Sequence, residues 1–418
     1  MTKIHIIGAG IAGLSAAVRL VNTGHQIHLY ESAGHAGGRC RSFYDDRIGC
    51  RIDNGNHLLL SGNPSVFGYL QTINATDELV GPDKAIFPFV DISLLRHWTV
   101  EIAKSPLPIW LLNKNRRIPD TGIFDYLTIA KLFFAKEMQT LGDVIDTQTP
   151  LYKMFFEPLA VGIMNTPAEI SSAHLLGTVL RETFAHGADS CKPRMAKDGL
   201  SETFVDPALT YLSKQGVFYS GNTRLREIER EGTRIKQLRF SDDIIRFSEG
   251  EIVILATPAS VTANLVPELI VPTDTYPIVN AHFRLPSGFQ PVNDAGLIGI
   301  IGGTAQWLFF RDDIISATVS AAENLVDAPA KSIAQMIWSD ITHSIKGLPS
   351  RMPSAHRIVK ERRATISQTP ESNRLRPNTV CNLDNLLLAG DWTDTGLPAT
   401  IEGSIKSGNR AADAILNR

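Results

Sequence analysis

Short apolar runs punctuated by glycine set the pattern at the start of this chain. Ile4, Ile6 and Ile7 form an apolar strand that runs into Gly8. Apolar and small residues, Ala12, Ala16 and Ala17 among them, then predict a helix from about Ile11 to Val21, closed by Gly24. Gln26–Tyr30 reads as a second strand that ends at Glu31. Further along, an amphipathic helix over Pro207–Lys214 leads into a strand over Gly216–Tyr219. Ile235–Phe240 and Ile244–Phe247 form a hairpin. Glu251–Ala256 is a buried strand that turns at Thr257-Pro258. Near the end, a buried strand reaches Gly390-Asp391, and a last helix opens at Thr400–Gly403. Two blocks of different texture lie between these pieces. Residues 76–194 read as mostly helical and are rich in Phe, Leu and Trp. Residues 266–374 hold strands at Ile278–Arg284, within Gly296–Phe310 and at Ile314–Ser320, then a helix near Ala330–Ile345.

The opening strand, glycines, helix, second strand and acid stand in the order of a dinucleotide-binding βαβ unit. Gly8 permits the tight turn. Gly10 lets backbone approach a pyrophosphate, and Gly13 lets the helix pack close to the strand. The N–H groups of Ile11 and Ala12, at the helix start, attract phosphate charge. Glu31 stands where an acid takes ribose hydroxyls, which suits an unphosphorylated ribose. No second motif of this spacing occurs. Gly299-Ile-Ile-Gly302-Gly303 has the wrong one, so electrons for any reaction are expected from outside the chain.

Composition narrows the field. Four hundred and eighteen residues suffice for two or three domains, and 43% apolar content can build sizeable cores. The net charge of −2, with no basic domain, excludes a polyanion partner such as nucleic acid. Cys40, Cys50, Cys191 and Cys381 are scattered without metal or redox spacing, as free thiols of a reducing cytosol would be. The first strand begins at once, so no cleaved leader is expected. The longest apolar stretch, Ala295–Phe310, is too short to span a bilayer. Phe87-Pro-Phe89 and Pro106–Leu112 are apolar and proline-broken, and Lys114, Arg116 and Arg117 follow. They form either a membrane-surface contact or a core segment with a charged exit.

Gly34-His-Ala-Gly37-Gly38-Arg39-Cys40-Arg41 resembles the second glycine motif of the amine oxidase and carotenoid desaturase superfamily of flavoproteins. A tighter resemblance, to the hydroxysqualene dehydroxylases of bacterial hopanoid synthesis, rests on several stretches. These are Leu397-Pro-Ala-Thr-Ile-Glu-Gly403 after Gly390-Asp391-Trp392, Asp53-Asn54-Gly55-Asn56-His57, Phe156-Glu-Pro-Leu159 and Asn165-Thr-Pro167. In that family glutamine is usual where Asn56 stands. The match covers almost the whole chain.

The resemblance implies an α/β fold: a Rossmann-like FAD-binding domain with a discontinuous α+β substrate domain, of the amine oxidase and phytoene desaturase-like type. Residues 1–75, 195–265 and 375–418 would form the first. Residues 76–194 and 266–374 would form the second, with a membrane contact at 106–117. It implies FAD as cofactor, a lipophilic C30 isoprenoid substrate, an external electron donor or reductase, and a place in the cytoplasm, on the inner face of the membrane if peripheral. Gly37, Gly38, Arg39 and Arg41 would approach the phosphates. Asn54 and Gly55 would lie near the isoalloxazine ring. Val217 would lend its backbone to the adenine, and Thr257 would sit at the strand end. Gly390 and Asp391 would hold the ribityl chain. Ala399, Thr400 and Ile401 would face the flavin N1–C2=O edge.

Four residues are candidates for handling the substrate hydroxyl or its proton, each with a plainer role open beside it. His57 is an active-site group or a structural histidine. Asn165 contacts substrate or caps a helix. Asp394 is an acid or a solvated loop residue. Glu402 is an acid or a first-turn complement to the helix dipole. Two other functions stay open: a desaturase or amine oxidase working from oxidised flavin, and a non-catalytic flavin-bearing scaffold. Aromatic content of 7% gives no sign of an amine cage.

Overall fold

The computed structural model describes residues 2–104, 109–286 and 295–417. Its first layer is a parallel five-stranded sheet. The strand order is Phe218–Ser220, Gln26–Tyr30 (β2), Lys3–Ile7 (β1), Ile252–Leu255 and Leu386–Leu388. A parallel sheet is covered on both faces, which explains why its central strands are nearly unbroken apolar runs. Helix α1 (Ile11–Leu20) and the last helix (Ile401–Leu416) lie on one face. They cross so closely that a Cβ on Gly408 would meet Ser15 Oγ at 2.1 Å and the Ala12 carbonyl oxygen at 2.2 Å. This contact brings the two ends of the chain into one unit.

The opposite face is covered by a three-stranded antiparallel meander, Leu225–Glu231, Arg234–Phe240 and Ile244–Arg246. Leu225, Ile235 and Leu238 pack there with Tyr30, Val253 and Leu255. The sequence reading found the hairpin and missed its first strand. Leu-Arg-Glu-Ile-Glu-Arg-Glu carries charges on both faces, so only its start reaches the core.

The second layer is a seven-stranded mixed sheet. Its order is His356–Ile366, Thr275–Arg284, Ile314–Val319, Trp307–Arg311, Leu297–Ile301, Ile86–Asp91 and Arg96–Glu101. Side chains alternate between faces. Phe87, Phe89, Leu297 and Trp307 point to the helices of residues 128–182, whereas Val90, Ile300, Phe283 and Ala317 point to the helix Ala330–Ser344. One expectation is corrected here and one alternative is decided. Residues 76–194 begin with a β-hairpin before turning helical. Phe87 and Phe89 are 5% and 2% exposed within it, so Phe87-Pro-Phe89 is core.

A short three-stranded sheet, Leu59–Leu60, Pro193–Ala196 and Leu79–Val80, bridges the layers. An ion pair does so as well. Asp53 Oδ2 meets Arg311 Nη1 at 2.8 Å, while Asp53 Oδ1 accepts from Ser42 Oγ and the Leu200 N–H.

Candidate flavin and substrate site

The two glycine segments meet at the end of β1. The Gly37 N–H donates to the Ala9 carbonyl at 2.8 Å. A Cβ on Gly38 would touch the Gly10 Cα at 3.4 Å, whereas one on Gly10 would project into open space. Gly8 is held at φ 107°, where its Cβ would strike the Ala256 carbonyl oxygen at 2.5 Å. Gly13 abuts Gly8 so tightly that any side chain is excluded. Helix α1 has no side-chain cap, so the N–H groups of Ile11 and Ala12 keep the open valence of a helix start. Glu31 closes this loop: Oε2 accepts from the Ala9 N–H at 2.8 Å and Oε1 from the Ala33 N–H at 2.9 Å.

Val217 keeps at most part of its expected role. Its N–H bonds the Leu212 carbonyl at 3.0 Å, closing the helix Asp206–Lys214, so only its carbonyl would be left for an adenine. The chain beside Glu31 is instead Ser220–Thr223. The Glu31 N–H donates to Ser220 O, and the Thr223 N–H donates to Glu31 O.

At the other end, Gly390 ends its strand at φ 145°, with the Trp392 indole filling the space a Cβ would need. The indole N–H donates to the Thr257 carbonyl at 2.8 Å, and Thr257 Oγ1 bonds Thr262 Oγ1. Asp391 Oδ2 pairs with Arg39 Nη2 at 2.7 Å, and Arg39 also reaches the Ala364 carbonyl. Arg41 reaches His35 and lies over the Phe43 ring.

The loop from Asp391 to Leu397 is built around Arg376, a residue the sequence reading missed. Its guanidinium donates to the carbonyls of Asp391 at 3.0 Å, Thr393 at 2.6 Å and Leu397 at 2.7 Å. Burial pulls its pKa down to about 10. Nothing local marks this arginine out, because its acceptors come from a segment that meets it only in the fold. Gln368 was missed for the same reason. Its Oε1 accepts from the Ala399 N–H at 2.8 Å and its Nε2 donates to the Met164 carbonyl at 2.6 Å.

These bonds change the expected donors at the start of the last helix. The Ala399 N–H is held by Gln368, and the Thr400 N–H bonds the Pro398 carbonyl. Thr400 Oγ1 caps the helix by accepting from the Gly403 N–H. The first-turn N–H groups of Ile401 and Glu402 have no acceptor within the helix and remain available.

The four candidates separate clearly. Glu402 is buried, and its two oxygens accept from the Ser65 and Val66 N–H groups at 2.9 and 2.8 Å. It caps the helix Pro64–Thr72 and is not a free acid. Asn165 ends the helix Glu157–Met164 in the left-handed conformation. Its Nδ2 donates to Tyr276 O and Thr365 Oγ1, and its Oδ1 accepts from the Ala321 N–H. Both amide hydrogens and one Oδ1 lone pair are engaged by the protein itself, as in a structural cap. Asp394 is exposed and closes a turn by accepting from the Gly396 N–H.

His57 is the candidate left with a free ring: among the described residues it has no hydrogen-bond partner. Burial drives its pKa down to about 4, so the imidazole is neutral at neutral pH. It follows a polar turn fixed from beneath. Asn280 Nδ2 donates to the Asn54 carbonyl at 3.2 Å, and Asn56 Nδ2 donates to Thr318 Oγ1 at 2.9 Å. Gly55 packs against both Asn280 and His57.

Residues 11–416 match the family described as flavin containing amine oxidoreductase. The chain belongs to that family. This flavoprotein is 44% identical to the hydroxysqualene dehydroxylase of Sinorhizobium fredii, over 99% of this chain and 98% of that protein. It is 40% identical to the hydroxysqualene dehydroxylase of Zymomonas mobilis, over the full length of both. An oxidoreductase structure from Methanosarcina mazei covers the whole chain with a TM-score of 0.74 at 14% identity, which shows a shared fold.

The cofactor of the flavoprotein is FAD, and the geometry fits it. The open space in front of Gly10, where a Cβ would meet nothing within 4 Å, lies at the uncapped start of α1 and suits a pyrophosphate. On this fit Glu31 would mark the adenosine end and Asp391 the ribityl end. The free N–H groups of Ile401 and Glu402 suit the electron-rich edge of a flavin. Among the described residues no cluster could hold a metal ion, and the four cysteines are unpaired.

Proposed function

We propose that this flavoprotein reductively dehydroxylates hydroxysqualene to squalene. The observation that carries the reading is the full-length kinship to hydroxysqualene dehydroxylases. An allylic C–O bond breaks, a C–H bond forms at the same carbon, and the hydroxyl leaves as water after taking one proton. Reduced FAD supplies the hydride and its two electrons when bound.

The chain's residues bind, orient and keep the site dry. Gly8, Gly10, Gly13, Gly37 and Gly38 would hold the pyrophosphate by backbone, and Glu31 the ribose. Asn54 and Gly55 would sit against the ring system. Arg376 would act as a positioning residue, since it shapes the loop that presents Asp391. The partly buried apolar residues next to His57, Leu58 and Leu60 among them, would face the isoprenoid chain and exclude water. His57 would orient the leaving hydroxyl, with its neutral ring donating from one nitrogen. As the sequence carries no second dinucleotide motif, an external reductant would supply the electrons. A C30 hydrocarbon chain is stored in bilayers, so the enzyme would work at a membrane surface.

Purified enzyme supplied with a reductant and hydroxysqualene should yield squalene in the lipid extract. A polyene or amine that reduces the oxidised enzyme, with no squalene formed, would instead assign a desaturase or amine oxidase.

A further inference from the structure

Two phenylalanines on one short stretch of this protein lie almost wholly in solvent. Phe124 is 82% exposed and Phe134 is 85% exposed. Between them Leu127 is 63% exposed, and the nearby Leu112 is 71% exposed. The stretch comprises the 3-10 turn Phe124–Leu127 and the helix Thr128–Phe133. Positions 124, 127, 131 and 134 advance by three or four residues and share one face. Tyr126, Leu132 and Ala135 point the other way and are buried. Leu112 lies in the turn packed beside this stretch, where Trp110 meets Tyr126 edge-on with ring centroids 5.7 Å apart. Scattered exposed leucines are ordinary on soluble proteins. A stripe with two fully presented phenyl rings is not.

Charge decides what covers the stripe. Lys131 lies on the same face, and Lys114 and Lys136 flank it. All three are exposed, and among the described residues none has a carboxylate within ion-pair distance. The chain as a whole carries a net charge of −2, so this basic rim is a local departure. Aromatic and aliphatic side chains ringed by lysines match the boundary between acyl chains and anionic headgroups. The stripe also leads inward. Trp110, Ile129 and Phe133 pack on the same apolar cluster as Leu58, the residue after His57, and Leu60.

We infer that Leu112, Phe124, Leu127 and Phe134 dock the enzyme on an anionic lipid bilayer, which places the apolar cluster beside His57 next to the membrane. The inference rests on the reading of a lipophilic substrate. It also shifts most of the membrane contact away from the stretch expected from sequence, of which only Leu112 takes part. Pro106–Pro108 lie outside the described residues, Leu111 is buried, and Trp110 packs onto Tyr126.

The test uses FAD-loaded full-length protein and sedimentation with vesicles. Wild type should bind phosphatidylglycerol-containing vesicles about tenfold better than pure phosphatidylcholine vesicles. The double variant Phe124→Ser, Phe134→Ser should lose about tenfold in binding to the anionic vesicles. Both side chains are in solvent, so flavin content and melting temperature should not change. Turnover of detergent-dispersed hydroxysqualene by this variant should stay within about twofold of wild type. That arm separates failure of the docking surface from failure of the proposed chemistry. Equal vesicle binding by variant and wild type would overturn the inference. So would a wild type that ignores both kinds of vesicle, or a variant that changes only the oligomeric state.

Discussion

Replacing Asn165 with alanine separates the two roles open to that residue. Asn165 is held at φ 45°, a conformation that asparagine tolerates and that costs alanine about 1 kcal/mol. Its amide bonds the Tyr276 carbonyl at 3.0 Å, the Ala321 N–H at 2.7 Å and the Thr365 hydroxyl at 2.9 Å. The hydroxyl can turn to another partner. The carbonyl and the N–H are fixed backbone groups beside a residue only 3% exposed. Leaving both unpaired costs about 1–3 kcal/mol each. Asn165→Ala should therefore lose about 3–7 kcal/mol, a large share of the ~5–15 kcal/mol typical of a folded protein. Asn165→Gly removes the backbone part alone and should recover about 1 kcal/mol of that loss. Urea unfolding followed by tryptophan fluorescence measures the loss. Turnover per bound flavin in the folded fraction should stay within about twofold of wild type. A stability change under about 1 kcal/mol, together with turnover slowed about a hundredfold, would place Asn165 on the substrate and refute the structural assignment.

His57→Ala should slow turnover about ten- to a hundredfold while retaining FAD, as read by single-turnover kinetics and flavin absorbance. Equal rates would make His57 a packing residue. Arg376→Lys keeps the charge but loses the fork that holds three carbonyls, so FAD should bind about tenfold more weakly; fluorescence titration of the apoprotein checks this, and unchanged affinity would remove Arg376 from the positioning role. Acid should destabilise the protein through His282, whose Nδ1 is engaged with Ser316 Oγ and whose pKa burial lowers to about 4. An unfolded imidazole takes its proton near pH 6.5, so the unfolded chain binds more protons between those two values. This contribution is complete above pH 6.5 and is lost as pH falls through the window, by up to about 3 kcal/mol. Urea midpoints from pH 7 to pH 4 should fall less steeply in His282→Gln, and parallel slopes would contradict the assignment.

The first thirty residues were legible because their constraints are local, whereas the hairpin Ser42–Asp45 and Cys50–Asp53 was not anticipated. A strand that must turn sharply, admit a pyrophosphate and pack a helix needs Gly8, Gly10 and Gly13 in place, and the structure packs Gly8 and Gly13 tightly while leaving open space at Gly10. The meeting of the two chain ends was legible only through resemblance, since Gly408 and Ser15 carry no mutual signal in sequence. Polar residues were the hard case. Glu402 and Asn165 look like chemistry until their partners appear, and those partners, Ser65, Val66, Tyr276 and Ala321, lie more than a hundred residues away. Arg376 went unnoticed for the same reason. Val217 was one helix end away from the chain that lies beside Glu31. The strand Leu225–Glu231 was hidden because charges on both faces erase the alternation that marks a half-buried strand.

The central claim is that bound reduced FAD and hydroxysqualene react on this chain to give squalene. The most direct test is an anaerobic single turnover. The enzyme's flavin is reduced with dithionite, hydroxysqualene is added, and the flavin absorbance and extracted lipid are followed together. The account predicts return of the oxidised flavin spectrum with one squalene formed for each flavin reoxidised. A flavin that stays reduced in the presence of substrate, with hydroxysqualene recovered intact, would contradict it.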